Sequence, residues 1–350
     1  MSNKRPHKKL PVALIFSLLG LLFLVLFIAD LLLGSIIIPV KQVLLSFFPQ
    51  SATNETFRTI VMEFRLPKAL TAVLTGAALS LSGLQMQTVF RNPLAGPYVL
   101  GISAGASLGV ALFVLGFSSV LAAGIFTTTG ALPLALVAWA GSFLVMLLVL
   151  YVSVRVNDIM TILILGILFT SAVTAIVSIL QYFSNESMLK AFIIWTMGSL
   201  GSVTKSQLTI LTPAILLGVL LAFWKIKDLN AFLLGENYAR SLGVSVKTSR
   251  VIIFLSTSLL AGTITAFCGP IGFIGIAVPH ICRVLFKTAN HLVLVPAVIL
   301  TGSIVMLFSD IVSQLPGMQT TLPINSVTAL IGIPVIVWMI VKNRKFVSVS

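Results

Sequence analysis

Long apolar runs alternate with short polar turns along almost the whole chain. The runs are about 20 residues long, the length that an α-helix needs to cross a hydrocarbon core of about 30 Å. We therefore predict an all-α polytopic membrane protein with about ten transmembrane helices. The predicted spans cover residues 11–33, 66–90, 97–117, 131–154, 159–183, 208–224, 251–268, 271–286, 292–312 and 323–341.

The junction between the seventh and eighth predicted spans differs from the others. The eighth run is short, and only Gly269 and Pro270 separate it from the seventh. Glycine and proline together favour a break in a helix. The two runs therefore form either two helices or a single broken helix with a re-entrant turn.

The first apolar run follows the basic stretch MSNKRPHKK and superficially resembles a secretory signal peptide. It continues past the roughly 7 to 15 residues of a cleaved apolar segment, and no small-x-small cleavage site lies near its end. We therefore interpret it as the first transmembrane helix.

Composition agrees with a membrane protein, since 58% of the residues are hydrophobic, 9% are charged and the mean hydropathy is +1.14. Soluble domains carry roughly 25% charged residues. The net charge of +14 does not indicate a nucleic-acid-binding protein, because the basic residues are not clustered with aromatic residues on a soluble face.

The basic residues instead follow the positive-inside rule. With ten spans and a cytoplasmic N-terminus, sixteen of the 22 lysines and arginines lie in the cytoplasm. The six on the outer side are Lys41, Arg58, Arg65, Lys68, Lys190 and Lys205. Both termini are basic and are predicted to be cytoplasmic, which favours an even number of spans and argues against merging the seventh and eighth unless another span is also miscounted.

One polar segment, LLGENYARSLGVSVKTSR at residues 233–250, lies between two long apolar runs on the predicted cytoplasmic side. Its apolar positions recur every four residues and are Leu234, Tyr238, Leu242 and Val246. Its predicted surface charges are Glu236, Arg240, Lys247 and Arg250. Gly235 and Gly243 divide it into short helices. The pattern predicts an attachment site for a soluble partner, and the alternative is an ordinary amphipathic loop at the membrane surface.

Residues that carry enzyme chemistry are scarce. The sequence contains no Gly-Lys dipeptide and hence no Walker A loop, so the chain is not predicted to bind ATP in that manner. His7, His280 and His291 are isolated from one another, and Cys268 and Cys282 show no C-x-x-C spacing. We therefore predict neither an enzyme nor a disulfide framework, and we expect no catalytic residue, metal site or cofactor in this chain.

The carboxylates argue against a carrier driven by an ion gradient. Such carriers usually keep an acidic residue near the middle of the membrane, whereas Asp30, Asp158 and Asp310 lie at the ends of predicted spans. The other carboxylates lie in loops and are Glu55, Glu63, Glu186, Asp228 and Glu236. Uphill transport would then draw its energy from a separate subunit, and a secondary transporter stays open as the alternative.

Two kinds of pattern within the spans indicate close packing and a polar pathway. Gly101, Gly105 and Gly109 form a small-residue series in the third span, which permits close helix packing. Polar residues form a stripe along the fifth span and are Thr170, Thr174, Ser178 and Gln181. The stripe either lines a translocation pathway or bonds its own helix carbonyls and a neighbouring helix. The same two readings apply to Ser82, Gln85 and Gln87.

Several motifs together carry a family resemblance. They are RLPK at 65–68, GAALSLSGLQMQ, RNPLAGPYVLGISAGASLG, LGENYARSLGV and GPIGFIGIAVPHICR. In this order and spacing, over nearly the whole chain, they resemble the permease subunits of type II ABC importers for ferric siderophores, haem and cobalamin. The resemblance implies ten helices per subunit and a homodimer or close heterodimer around a central pathway, with spans two to five and seven to ten as inverted repeats. It also implies two ATPase subunits, which bind ATP and Mg, on the cytoplasmic side and an extracytoplasmic solute-binding protein on the other.

The resemblance also assigns residues. It implies coupling helices that carry Leu234, Gly235, Glu236, Ala239, Arg240, Leu242 and Gly243. It implies that Arg65 and Lys68 receive acidic groups of the binding protein, and the alternative is interfacial snorkelling. Departures from the family pattern are Gln314 at a basic position, Thr321 at a glutamate position and Asn325 at a glycine position. His280 and Arg283 are assigned structural roles.

Taken together, the sequence predicts a single transmembrane permease domain over residues 1–350 with a cytoplasmic coupling segment at 229–250. We expect it in the bacterial plasma membrane as a multi-pass subunit without nucleic-acid partners. The expected activity is import of a metal chelate by alternating access, with ferric siderophore as the first choice and cobalamin or haem next.

Overall fold

The computed structural model describes residues 11–48, 54–116, 132–156, 158–314 and 320–342. Over these ranges the chain forms fifteen α-helices, joined in places by short 3₁₀ and π-helical turns. In chain order they are α1 (Val12–Leu32), α2 (Val40–Ser46), α3 (Glu55–Thr59), α4 (Leu66–Val89), α5 (Ile102–Ala111), α6 (Leu132–Arg155), α7 (Ile159–Phe183), α8 (Glu186–Thr196), α9 (Lys205–Trp224), α10 (Ile226–Phe232), α11 (Glu236–Ser241), α12 (Val246–Cys268), α13 (Ile274–Phe286), α14 (His291–Ser313) and α15 (Ile324–Lys342).

The predicted all-α class is confirmed for the described residues. Among them, seven helices are long and apolar enough to cross a membrane: α1, the continuous helix Glu55–Val89 that contains α3 and α4, α6, α7, α9, α12 and α14. Three shorter apolar helices are Ile102–Gly116, α13 and Ile324–Met339. These helices coincide with the ten predicted apolar runs, whereas the sidedness of the loops and the inverted repeats stay predictions. Residues 117 and 131, where spans three and four are predicted to end and begin, lie outside the described residues, as does His7.

The seventh and eighth predicted spans are two helical segments with a break between them, which is a feature of both alternatives, so the choice between two helices and one broken helix with a re-entrant turn stays a prediction. Gly269 ends α12 with a φ of +76°, and helical structure resumes only at Ile274. α13 has 13 residues and rises about 20 Å, which is less than the roughly 30 Å of a hydrocarbon core. The third predicted span is also broken, because a 3₁₀ turn at Pro97–Leu100 and Gly101, with a φ of +77°, precede α5.

The centre of the bundle is α4, which is buried along almost its whole length and packs against α12, α13 and α14. Its contact with α14 depends on glycine, because a Cβ on Gly76 would lie 2.1 Å from the carbonyl oxygen of Gly302. α5 meets α6 in the same way, since a Cβ on Gly105 would lie 2.6 Å from the carbonyl oxygen of Gly141. The close packing predicted for the glycine series of the third span is thereby confirmed.

The loops gather at two ends of the bundle. At one end, named the coupling end here, residues 225–250 lie beside the loops that follow α4 and α6 and the loop that precedes α14. At the other, named the opposite end, the C-terminal ends of α1 and α14 meet the N-terminal part of α4. Loops that are predicted to share a side of the membrane therefore share an end of the bundle.

Candidate functional site

The coupling segment, residues 229–250, folds into short helices at the coupling end. α10 ends at Phe232 and α11 runs from Glu236 to Ser241. Gly235 precedes α11 with a φ of +104°, and Gly243 follows it with a φ of +82°. Both values are disfavoured for residues with a side chain. The two glycines therefore separate the short helices at the positions that the sequence predicts.

One face of this segment exposes apolar side chains. The exposed fractions are 61% for Leu234, 51% for Tyr238 and 59% for Leu242. Ala239 on the other face is fully buried, and Val246 at the start of α12 is 4% exposed. Three large apolar groups, four residues apart, are thus exposed on a polar segment, and Arg240 of α11 is also exposed. Such a contiguous apolar surface with a charged margin is typical of a protein interaction site.

The other face is fixed to the bundle by a buried ion pair. Arg250, on the first turns of α12, is 1% exposed, and its guanidinium lies 2.5 Å from the Glu236 carboxylate of α11. It also donates to the carbonyl of Val156 at the end of α6, at 3.3 Å. The predicted surface position of Arg250 is therefore wrong. Partnership with Glu236 makes its burial tolerable, because a buried charge needs a close counter-charge.

A second contact holds α10. The Asp228 carboxylate accepts from the Lys225 ammonium at 2.8 Å and from the Ser249 hydroxyl at 2.6 Å. Ser249 lies on α12, so this carboxylate joins α10 to α12. The sequence pattern did not single out Asp228 or Ser249 as partners, because their separation of 21 residues follows no helical period. The coupling segment is thus attached on one side and exposed on the other.

The polar stripe of α7 lines a cavity of about 530 Å³. Its members there are Thr170, Thr174, Ser178 and Gln181, and the facing polar side chains include Tyr98, Ser107 and Asn325. The hydroxyls of the stripe donate to carbonyls of their own helix, for example Thr174 to Thr170 at 2.8 Å and Ser178 to Thr174 at 2.9 Å. The hydrogen bonds to the helix's own carbonyls, which the alternative to a pathway role predicts, are therefore present. A pathway role stays a prediction.

The second polar group is packed inside the bundle. The amide of Gln85 bonds Ser256 at 3.0 Å and accepts from Thr257 at 3.0 Å, which joins α4 to α12. Gln87 accepts from Arg283 of α13 at 2.5 Å. These contacts favour the packing interpretation of Gln85 and Gln87.

His280 and the two cysteines also lie within the bundle. The His280 ring meets the Trp338 ring edge-on, with 6.1 Å between the ring centroids. Cys268 and Cys282 are both buried thiols without a disulfide. Among the described residues, no group of three or more His, Cys, Asp or Glu side chains is placed to hold a metal ion.

The predicted docking residues lie at the opposite end, beside a cavity of about 890 Å³. Arg65 is almost completely buried, and its guanidinium donates to the carbonyls of Leu31 at 2.8 Å, Leu32 at 2.7 Å and Ile36. These carbonyls belong to the end of α1 and the turn after it, where helix carbonyls lack partners within the helix. Arg65 therefore fixes α1 to α4, and its docking role stays a prediction.

Lys68 is paired within the chain. Its ammonium lies 3.0 Å from the carboxylate of Asp310 on α14, which is 1% exposed. Gln314 donates to Asp310 at 2.8 Å and to Asp30 of α1 at 2.9 Å. Gln314, a departure from the family pattern, thus bridges two buried carboxylates. The sequence placed Asp30 and Asp310 at the ends of spans but did not bring them together, because contacts between distant helices leave no local signal.

Asn325, another departure from the family pattern, also makes a contact within the bundle. Its side-chain oxygen accepts a hydrogen bond from the Gly272 backbone N–H at 3.0 Å. Thr321 lines the cavity at the opposite end. Both departures therefore lie where the loops around α13 and α15 meet the cavities.

A bundle of membrane-length helices with polar cavities and a partly exposed polar segment at one end is the architecture of a membrane permease. Residues 21–342 match the model of the FecCD transport family, and the chain belongs to this family of ABC importer permeases. The resemblance seen in the sequence motifs is thereby confirmed.

Two similar permeases and one similar solved structure agree with this membership. The vitamin B12 import system permease protein BtuC of Salmonella typhi is 35% identical over 298 residues, which cover 84% of this chain and 86% of the relative. The hemin transport system permease protein HmuU of Yersinia pestis is 33% identical over 325 residues, which cover 92% of this chain and 95% of the relative. A solved structure of a metal-chelate type ABC transporter in an inward-facing conformation matches with a TM-score of 0.80 and 29% identity, over 94% of this chain and 99% of that chain.

Proposed function

We propose that this chain is the permease subunit of an ATP-driven importer that moves a metal chelate into the cytoplasm by alternating access. The names of the two relatives and of the structural neighbour support this cargo class. A ferric siderophore is the first cargo to test, followed by cobalamin and haem. The chain itself performs no bond chemistry, and ATP and Mg belong to its partners.

The observation that carries the proposal is the exposed apolar face of the coupling segment. Leu234, Tyr238 and Leu242 lie at the end of the bundle that is predicted to be cytoplasmic, on a segment that Arg250 and Asp228 hold against α12. A groove on an ATPase subunit would cover these side chains, and its movement would be passed to the bundle as a rigid-body displacement.

The wider assembly follows from the same proposal. Two copies of this chain form a homodimer around the pathway, each with one ATPase subunit at the coupling end. A solute-binding protein delivers the chelate at the opposite end, beside Arg65 and Lys68. The complex lies in the bacterial plasma membrane as a multi-pass assembly.

The stripe of α7 is the proposed pathway lining. Each hydroxyl that donates to a carbonyl of its own helix still has an oxygen that accepts. Ser178 and Thr174 therefore offer weakly polar acceptors to the cavity without leaving an unpaired donor. Such a lining suits a bulky polar chelate that is held only loosely.

The test is copurification. The chain is expressed with its neighbouring genes, and the purified complex is examined for an ATPase subunit and for ATP-dependent uptake in proteoliposomes. Arg240→Glu reverses an exposed charge on the short helix α11, which also carries Tyr238, and is expected to weaken ATPase association or uncouple transport. Lys247→Glu is the matched control, because Lys247 is an exposed basic residue of the same coupling segment that lies on α12, beyond the break at Gly243.

Two results would overturn the proposal. One is a fully coupled Arg240→Glu complex, which would reject the coupling surface. The other is gradient-driven uptake by the purified chain without an ATPase, which is the behaviour of a secondary transporter.

A further inference from the structure

A buried chain of hydrogen bonds leads from the coupling segment into the centre of the bundle. Asn230 lies on α10, His291 is the first residue of α14, and Thr88 lies at the end of α4. His291 is fully buried and Thr88 is 2% exposed. Asn230 Oδ1 lies 2.8 Å from the backbone nitrogen of His291 and 2.9 Å from its Nδ1, while His291 Nε2 lies 2.8 Å from the Thr88 hydroxyl.

The donors and acceptors in this chain can be assigned. The backbone N–H of His291 can only donate, so the Asn230 atom that it meets is the carbonyl oxygen. The same oxygen accepts from Nδ1, which must then carry the ring proton. In the neutral ring Nε2 carries no proton and can only accept, so the Thr88 hydroxyl, which has a single proton, donates either to Nε2 at 2.8 Å or to the Leu84 carbonyl at 2.9 Å. The imidazole therefore connects one specific donor to one specific acceptor.

The same amide also holds the start of α14. The Asn230 amino group donates to Asn290 at 3.1 Å, and Asn290 caps the backbone N–H of Leu292 at 3.0 Å. Asn290 does not accept from the backbone N–H of His291, and this N–H donates to Asn230 instead. One side chain of the coupling segment thus makes three hydrogen bonds to the first turn of α14.

We propose that Asn230, His291 and Thr88 form the joint that passes displacement of the coupling segment to α4 and α14. This inference rests on the proposed function. His291 is a positioning residue in it, because it acts through its neighbours and touches neither cargo nor nucleotide. α4 and α14 lie in backbone contact at Gly76 and Gly302, so a displacement that reaches one of them moves both.

The sharpest variants are a matched pair at Thr88. Thr88→Val removes the hydroxyl and keeps the branched shape, whereas Thr88→Ser keeps the hydroxyl. His291→Asn is an independent second variant, because an asparagine amide can replace Nδ1 toward Asn230 but does not reach Thr88. His291→Gln makes the opposite exchange, since its longer side chain can replace Nε2 toward Thr88 but does not replace Nδ1 toward Asn230.

The experiment uses the complete complex with its ATPase and binding protein in proteoliposomes. ATP hydrolysis and uptake are measured together, with a ferric hydroxamate siderophore, cyanocobalamin and haem as parallel probes, and thermal stability is recorded for each variant. We expect Thr88→Val and His291→Asn to assemble and to hydrolyse ATP at the wild-type rate, with only the small loss of thermal stability that one hydrogen bond explains, but to import about fivefold to tenfold less cargo per ATP. Thr88→Ser is expected to match the wild type.

Equal cargo per ATP in Thr88→Val and Thr88→Ser would overturn the joint while leaving the proposed function in place. Uptake and ATP hydrolysis that fall together with thermal stability would reduce the cluster to a packing element and would also overturn it. A wild-type complex that imports none of the probes, or that lacks an ATPase, would overturn the proposed function and the joint with it.

Discussion

The ion pair between Arg250 and Glu236 offers a quantitative test of how the coupling segment is attached. Glu236 faces two arginines. Arg250 lies 2.5 Å away and its side chain is 2% exposed, whereas Arg240 lies 4.0 Å away and is 54% exposed. Removal of either arginine by Arg250→Ala or Arg240→Ala leaves the same carboxylate behind. The two variants therefore compare a buried contact with an exposed one.

The expected free-energy changes differ widely. Breaking a buried ion pair costs about 3 to 5 kcal/mol. Glu236 is 24% exposed, so water recovers part of that cost, and we expect a loss of about 3 kcal/mol for Arg250→Ala. The exposed pair with Arg240 is worth about 0.3 to 0.5 kcal/mol. Because each 1.4 kcal/mol corresponds to a factor of ten, local opening should increase about 100-fold in the first variant and about twofold in the second.

Amide hydrogen exchange over residues 236–243 measures this opening directly. The rest of the bundle serves as an internal control, since exchange in α4 should not change. Glu236→Ala should be at least as severe as Arg250→Ala, because it leaves the more deeply buried charge unpaired. Similar exchange in the two arginine variants would refute the reasoning, as would a change in Arg250→Ala that spreads to α4.

Two further predictions concern the bundle and its opposite end. Gly105→Ala would place a Cβ 2.6 Å from the Gly141 carbonyl oxygen and should lower stability by about 1 to 3 kcal/mol, measured as the melting temperature in detergent. Gly20→Ala, where nothing lies within 4 Å, is the control, and an equal effect of both would contradict the packing argument. Asp310→Asn removes the internal partner of Lys68 and should strengthen binding-protein association in a salt-sensitive manner. Unchanged affinity would show that Asp310 does not compete for Lys68.

Features that depend on local pattern were predictable from the sequence. The helices coincide with the apolar runs, because the length and hydrophobicity of a span are properties of consecutive residues. Gly235 and Gly243 were predictable as breaks in the coupling segment, since glycine is the residue that accepts positive φ readily. Close packing at Gly105 was also predictable, because helical spacing of small residues has a single structural consequence.

Features that depend on pairs of distant residues were not predictable in the same way. Arg250 has the appearance of a surface charge in the sequence, and its burial depends on Glu236 and on the end of α6. Asp30 and Asp310 were known to lie at span ends, yet only the packing of α1 against α14 brings them together. His291 looked isolated for the same reason.

The contacts at the opposite end determine which helices respond together. Arg65 joins α4 to α1, Lys68 joins α4 to α14, and Gln314 joins α14 to α1, so the three helices are linked pairwise. α14 starts at His291 and carries Asp310 near its other end, 19 residues on, which corresponds to about 29 Å of helix. A helix attached at both ends cannot tilt alone, because each end is held by buried polar groups whose separation is costly. A displacement delivered at Asn230 is therefore expected to move α1, α4 and α14 as one body, so that opening and closing take place where this body meets its neighbours, among them α12 and α13.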